Sequence, residues 1–270
     1  MTAVSKLIDK KAFIFDLEGV LVNNIDDPLP YPFAKETISG LRASGKRILV
    51  LTNVARVSSK NILEKLRKAG FDLSDDEILT SGTATALYVK SMKPNAKCFV
   101  ISEGGLQDEF KLAGIKMVNK RPVDFVVVGV DRALTYKKLN IAMRFLLGGA
   151  ELVCTGGSRT FKGVFEKEEG VWLGEASIAD ALGMATGKTP IIIGKPQEKF
   201  FERALKIVRH SAKDTVMTGD ILESDIVGSK KVGMTAILVS GKKTKIQGTI
   251  TPDIIVKDIC ELHKILMCKK

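Results

Sequence analysis

The chain alternates short, wholly apolar runs with amphipathic stretches of helical period almost from end to end. Ala12–Phe15, Arg47–Leu51, Lys97–Ile101, Phe125–Val130 and Glu151–Cys154 read as strands, as do Pro190–Ile193, Thr215–Thr218, Thr235–Val239 and Ile254–Val256. Between them, Phe33–Ser44, Ser58–Ala69, Tyr136–Leu147, Ile178–Thr186, Gln197–Arg209, Asp225–Val232 and Glu261–Met267 have helical spacing, and Gly70 and Gly148-Gly149 act as helix stops. A strand that is apolar on every residue must be covered on both faces. Strands of that kind spaced by helices predict parallel sheets in an α/β fold.

Such sheets place ligands at the carboxyl ends of their strands. Asp16 and Glu18 follow the first strand, Thr52 and Asn53 the second, Lys195 the run Ile191–Ile193, and Asp220 with Asp225 the run Thr215–Thr218. Any one of these is an ordinary turn residue. Carboxylates, a hydroxyl and an amine at four strand ends together predict one convergent site.

These same segments resemble a known family. FIFDLEGVLV resembles the haloacid dehalogenase signature hhhhDxDGxhx, where h is apolar. ILVLTN, IIIGKP and TVMTGDILESDI resemble its second, third and fourth motifs, the last of the form GDxxxxD. VVVGVDRALTYKKLNIA and ATGKTPIIIGKP are similar to the NagD-like, p-nitrophenylphosphatase branch. The resemblance implies a Rossmann-like parallel-sheet core over 1–80 and 187–270, with an inserted α/β cap domain over 81–186. It implies a Mg²⁺-dependent phosphatase acting on a small phosphorylated metabolite. Its metal ligands would be Asp16, the backbone carbonyl of Glu18, and Asp220, with Asp225 holding a metal-bound water or steadying Lys195. Asp16 would be the nucleophile, Glu18 the acid and base, and Thr52 and Lys195 the phosphate clamp, with Asn53 a further substrate-binding residue. Arg159 and Lys162 would contact the substrate from a cap loop over Thr155–Glu175, whose wall is altered by Gly156 and Ser158, with Glu175 replacing a small residue next to the active-site entrance. Caps of this branch often pair, which implies a homodimer through the cap.

Glu18 stands where the signature carries its second aspartate. Its extra methylene moves the carboxyl by roughly 1–1.5 Å. A rival reading follows from that change: a non-catalytic protein that binds a phosphorylated ligand.

Composition narrows the partners. The formal charge of +11 comes from scattered lysines with no aromatic-and-basic stripe, so no nucleic-acid partner is expected. No apolar run approaches the roughly 20 residues of a membrane helix. The first residues lack the apolar segment of a secretory signal, and Cys98, Cys154, Cys260 and Cys268 form no CxxC pair. A cytoplasmic protein with reduced thiols is expected. Gly187-Lys188-Thr189 imitates the end of a P-loop but lies between a helix and a strand in the wrong order. His210 and His263 are expected to face solvent, and Glu166, Glu168 and Glu169 to form a solvated turn.

Overall fold

The computed structural model describes residues 5–165, 167–241 and 250–267. Along the chain the strands are β1 (Ala12–Phe15), β2 (Arg47–Thr52), β3 (Ile78–Thr80), β4 (Lys97–Ile101), β5 (Lys116–Met117), β6 (Phe125–Val128), β7 (Glu151–Cys154), β8 (Thr160–Phe165), β9 (Glu168–Leu173), β10 (Ile191–Ile192), β11 (Thr215–Gly219), β12 (Thr235–Val239) and β13 (Ile254–Val256). Two compact units divide them. One comprises Met1–Thr52, Lys60–Leu79 and Lys195–Lys270; the other comprises Asn53–Ser59 and Thr80–Gly194.

The first unit holds a sheet in the order β13-β12-β11-β1-β2-β3. From β13 through β2 every neighbour pairs in parallel. β1 lies centrally and is buried on all four residues, as a continuous apolar run requires. The helix Glu198–Val208 shows how the covering layer arises. Its Phe200, Phe201, Ala204 and Val208 are buried, so its apolar residues form one stripe while Glu198, Lys199, Glu202 and Arg203 stay outside it. The helix Ile259–Met267 packs on Ala34–Ala43. There His263, expected in solvent, is half-buried: its ring stacks on Phe33, with centroids 5.0 Å apart, and Nδ1 lies 3.1 Å from Thr37 Oγ1. Phe33 needs that support, because its φ of 66° is left-handed and costly for a bulky side chain.

The second unit holds a parallel sheet ordered β10-β7-β6-β4-β5 and a separate antiparallel hairpin, β8-β9. The sheet's two faces carry separate apolar clusters, one around Phe99, Phe145 and Leu152 and one around Phe110, Phe125 and Val153. The stretch expected to be a loop over 155–175 therefore contains two strands. In β8-β9 the Trp172 ring meets Phe165 edge-on at 5.3 Å, and its Nε1 donates to the Gly163 carbonyl at 2.9 Å. Glu168 and Glu169 lie in β9, exposed, rather than in a turn. Glu166, Cys268 and the Lys162 side chain lie outside the described residues.

Two segments join a different sheet or unit from the one their sequence suggested. Ile191 and Ile192 pair with Val153 and Cys154 of β7, so residues 187–194 cluster with the second unit. Residues 53–59 do the same, because Gly105 N–H donates to the Arg56 carbonyl at 3.0 Å and Ser59 N–H to Glu109 Oε1 at 2.6 Å. Among the described residues no helix is long and apolar enough to cross a membrane.

Phe13 is wholly buried in β1. Phe13→Ala should lower unfolding stability by about 3–5 kcal/mol, seen as a lower urea midpoint at an unchanged m-value.

Candidate active site

In the first unit the parallel register sets the site. Phe15 pairs with Thr218 on one side and with Val50 on the other. One residue further, the Asp16 N–H donates to the Thr218 carbonyl at 2.8 Å, which carries the β1-β11 ladder past the end of the strand. Asp16 is therefore level with Gly219, and Asp220 follows directly; Thr52, buried, closes β2 at the same edge.

The carboxylates converge closely. One oxygen each from Asp16, Asp220 and Asp225 lies within 4.8 Å of the others. Lys195 Nζ sits 2.7 Å from Asp16 Oδ1 and 2.7 Å from Asp225 Oδ1, and all three side chains are buried. Backbone groups complete the aim. Leu17 N–H donates to Asp16 Oδ1 at 2.8 Å, and Ile221 N–H to Asp225 Oδ2 at 3.0 Å. Asp225 is turned inward by a π-helical turn over Leu222–Ile226, a wide turn of the kind found at functional sites. Gly19 is required on two counts: its φ is 87°, and the Asp220 carboxylate occupies the place of its Cβ.

Electrostatics follow from this crowding. Burial, above all, lifts the Asp16 carboxyl from 3.8 to about 8; Lys195 opposes the rise, while Asp225 and Asp220 add to it. Burial works against the Lys195 charge, yet the Asp16 and Asp225 carboxylates outweigh it and hold its pKa above the usual lysine range. Three carboxylates facing one ammonium leave a deficit of positive charge. Hard oxygen donors at this spacing fit a small divalent cation such as Mg²⁺.

The other residues singled out in the sequence divide between the units. Glu18 is in the first, and its Oε1 accepts the Ile25 N–H at 2.8 Å, so the longer side chain reaches across and ties the loop that follows β1. Asn53 and Arg159 are in the second. The Asn53 carbonyl accepts from Ser81 Oγ at 2.8 Å. Arg159 is exposed, with its carbonyl accepting from Gly174 N–H and Ser177 Oγ, both at 2.8 Å. Glu175, expected next to the active-site entrance, is buried at the start of the helix Glu175–Thr186. The buried thiols offer no rival nucleophile. Burial pushes Cys98 up to about 12 and raises Cys154 further still.

Known proteins resemble the chain along most of its length. The family described as haloacid dehalogenase-like hydrolase matches residues 13–116, and a related HAD-hydrolase-like family matches residues 192–262. An acid sugar phosphatase of Staphylococcus aureus is 32% identical over 229 residues, covering 85% of this chain and 86% of that protein. Among solved structures, a p-nitrophenyl phosphatase from Archaeoglobus fulgidus is 31% identical, with a TM-score of 0.85 over 95% of this chain and 99% of the other. A 4-nitrophenylphosphatase from Thermotoga maritima is 27% identical, with a TM-score of 0.87 over 97% and 99%.

The raised Asp16 pKa has a testable sign. Its contribution to stability is complete below about pH 4 and is lost as pH rises through about 8. In EDTA, the melting temperature of wild type relative to Asp16→Asn should fall between about pH 5 and about pH 8. Mg²⁺ should restore it, more at about pH 8 than at about pH 6, because the cation binds the ionised carboxylate. A difference that stays constant with pH would contradict the assignment.

Proposed function

Because the chain belongs to the haloacid dehalogenase-like hydrolases, we propose that it is a Mg²⁺-dependent phosphatase of small phosphorylated metabolites, with Asp16 as the nucleophile. The observation that carries the reading is the Asp16–Lys195–Asp225 arrangement, in which a buried ammonium holds one oxygen of the nucleophile. Leu17 N–H and Lys195 both engage Oδ1, so Oδ2 is the oxygen that attacks phosphorus. Attack forms an aspartyl-phosphate at Asp16 and releases the alcohol, and water then cleaves it to free phosphate. One hard displacement becomes two easier ones. Glu18 protonates the leaving alcohol and afterwards takes a proton from the attacking water. Lys195 and the Thr52 hydroxyl neutralise and orient the phosphoryl oxygens, which a dianion requires before any nucleophile can approach.

Asp16, Asp220 and the Glu18 carbonyl would hold Mg²⁺, with Asp225 steadying Lys195 behind them. Bound there, Mg²⁺ would supply charge neutralisation at the phosphoryl group. Asn53, Arg159 and Lys162 are proposed to contact the substrate. The family resemblance suggests phosphoglycolate, pyridoxal phosphate, sugar phosphates and nucleoside monophosphates as substrates, and the name of the Staphylococcus aureus relative favours sugar phosphates. p-Nitrophenyl phosphate serves as the reporter substrate.

With p-nitrophenyl phosphate, Asp16→Asn should abolish turnover while the fold persists, because the amide is no nucleophile. Residual turnover within tenfold of wild type would overturn the aspartyl-phosphate route. EDTA should remove activity and Mg²⁺ should return it.

Glu18→Gln should cost roughly 100- to 10,000-fold with alkyl leaving groups. With p-nitrophenyl phosphate, whose leaving group needs little protonation, that protein should show a burst of nitrophenol and then a slow steady state. Equal rates for wild type and Glu18→Gln on a sugar phosphate would remove Glu18 from the mechanism.

A further inference from the structure

Within the second unit, a buried carboxylate lies beside the residues that adjoin the proposed phosphate clamp. Glu175 is 3% exposed, and its Oε1 accepts the Ser158 N–H at 3.1 Å, while the Ala176 N–H returns a bond to the Ser158 carbonyl at 3.1 Å. Among the described residues its partners are neutral donors, and burial pushes its carboxyl above the usual carboxylate range, an arrangement that costs free energy unless the geometry is well kept. Glu175 Oε1 occupies the place where a Cβ on Gly156 would go, and Asn53 Nδ2 lies 3.2 Å from that same point. The other end of the Asn53 amide, Oδ1, fills the Cβ position of Gly194, whose N–H donates to the Thr155 carbonyl at 3.0 Å. Asn53 and Gly194 are peptide-bonded to Thr52 and Lys195.

We propose that Glu175 is a positioning residue for catalysis: it holds the Gly156–Ser158 turn against Asn53, and so sets the backbone on which Thr52 and Lys195 are carried. The proposal rests on the phosphatase reading for its catalytic consequence, but its structural half stands without turnover. Glycine at 156 and 194 is what lets the three layers touch, since any side chain there would displace Glu175 or Asn53. Displacing a clamp by about 1 Å lowers rate by on the order of 100-fold. A displaced clamp keeps its charge and still binds the dianion but holds it out of line for attack, so the loss appears in kcat with little change in KM.

Hydrogen–deuterium exchange on the full chain reads the structural half at the peptides covering 50–56 and 193–197. Turnover of p-nitrophenyl phosphate with Mg²⁺ reads the catalytic half. Glu175→Ala and Gly156→Ala should each speed exchange at those peptides and lower kcat about 10- to 100-fold, with KM within about threefold. Glu175→Gln keeps an acceptor for the Ser158 N–H and should return both readings to within about threefold of wild type. Gly156→Ala carries the test if Glu175→Ala does not fold. Unchanged exchange at those peptides, or equal losses in Glu175→Gln and Glu175→Ala, would overturn the positioning role. Changed exchange in a family of proteins that never turns over the substrate, wild type included, would leave the positioning role standing and sink the phosphatase reading instead.

Discussion

The Lys195 ammonium between Asp16 and Asp225 is the interaction on which the rest of the first unit's site depends. Carboxylates this close and this buried repel one another strongly, and the low local dielectric magnifies the effect. One cation bonded at 2.7 Å to two of them makes the cluster tolerable and fixes both side chains. Removing Lys195 from such a set would leave buried carboxylates uncompensated, which is far costlier than the set itself. The arrangement is under-neutralised all the same, and that residual negative charge suits it to a divalent cation.

Backbone geometry does the aiming. Neighbouring parallel strands in register bring Asp16 and Asp220 to one edge without any special contact between the side chains. Irregular backbone appears where regular structure could not serve: a π-helical turn swings Asp225 inward, and a left-handed glycine at 19 makes room for Asp220. A common device recurs around these acids. Asp16 takes the N–H of Leu17, Glu18 that of Ile25, Asp225 that of Ile221, and Glu175 that of Ser158. A backbone donor is rigid and neutral, so it orients a carboxylate without cancelling its charge.

Glu18 departs from the family pattern, and the structure gives its longer side chain a partner. Read from sequence, its extra methylene is a displacement of the acid. In the fold, the same reach lets Oε1 meet the Ile25 N–H and tie the loop after β1. A longer side chain has here acquired an anchor that limits its freedom, which suits the proton-transfer role proposed for it.

Several features were legible in the residues themselves. Continuous apolar runs alternating with helical period indicate parallel sheets, and Asp16, Lys195, Asp220 and Asp225 stand just past such runs. Hydrophobicity and its periodicity are local properties, so a sequence records them. Choice of partner is not local. Ile191-Ile192 has the same apolar character as a strand of either sheet, and only packing against Val153 and Cys154 decides its place. The hairpin β8-β9 was hidden because glycines and glutamates interrupt its alternation, and it is held by Trp172 closing on Phe165 and Gly163. His263 and Glu175 look like solvent or surface residues until Phe33 and Ser158 are brought to them from distant or folded-back segments. The sequence by itself determined which residues carry charge and where strands end; the tertiary structure alone decided which of those charges are buried together, because burial of a polar group depends on partners that chain order does not specify.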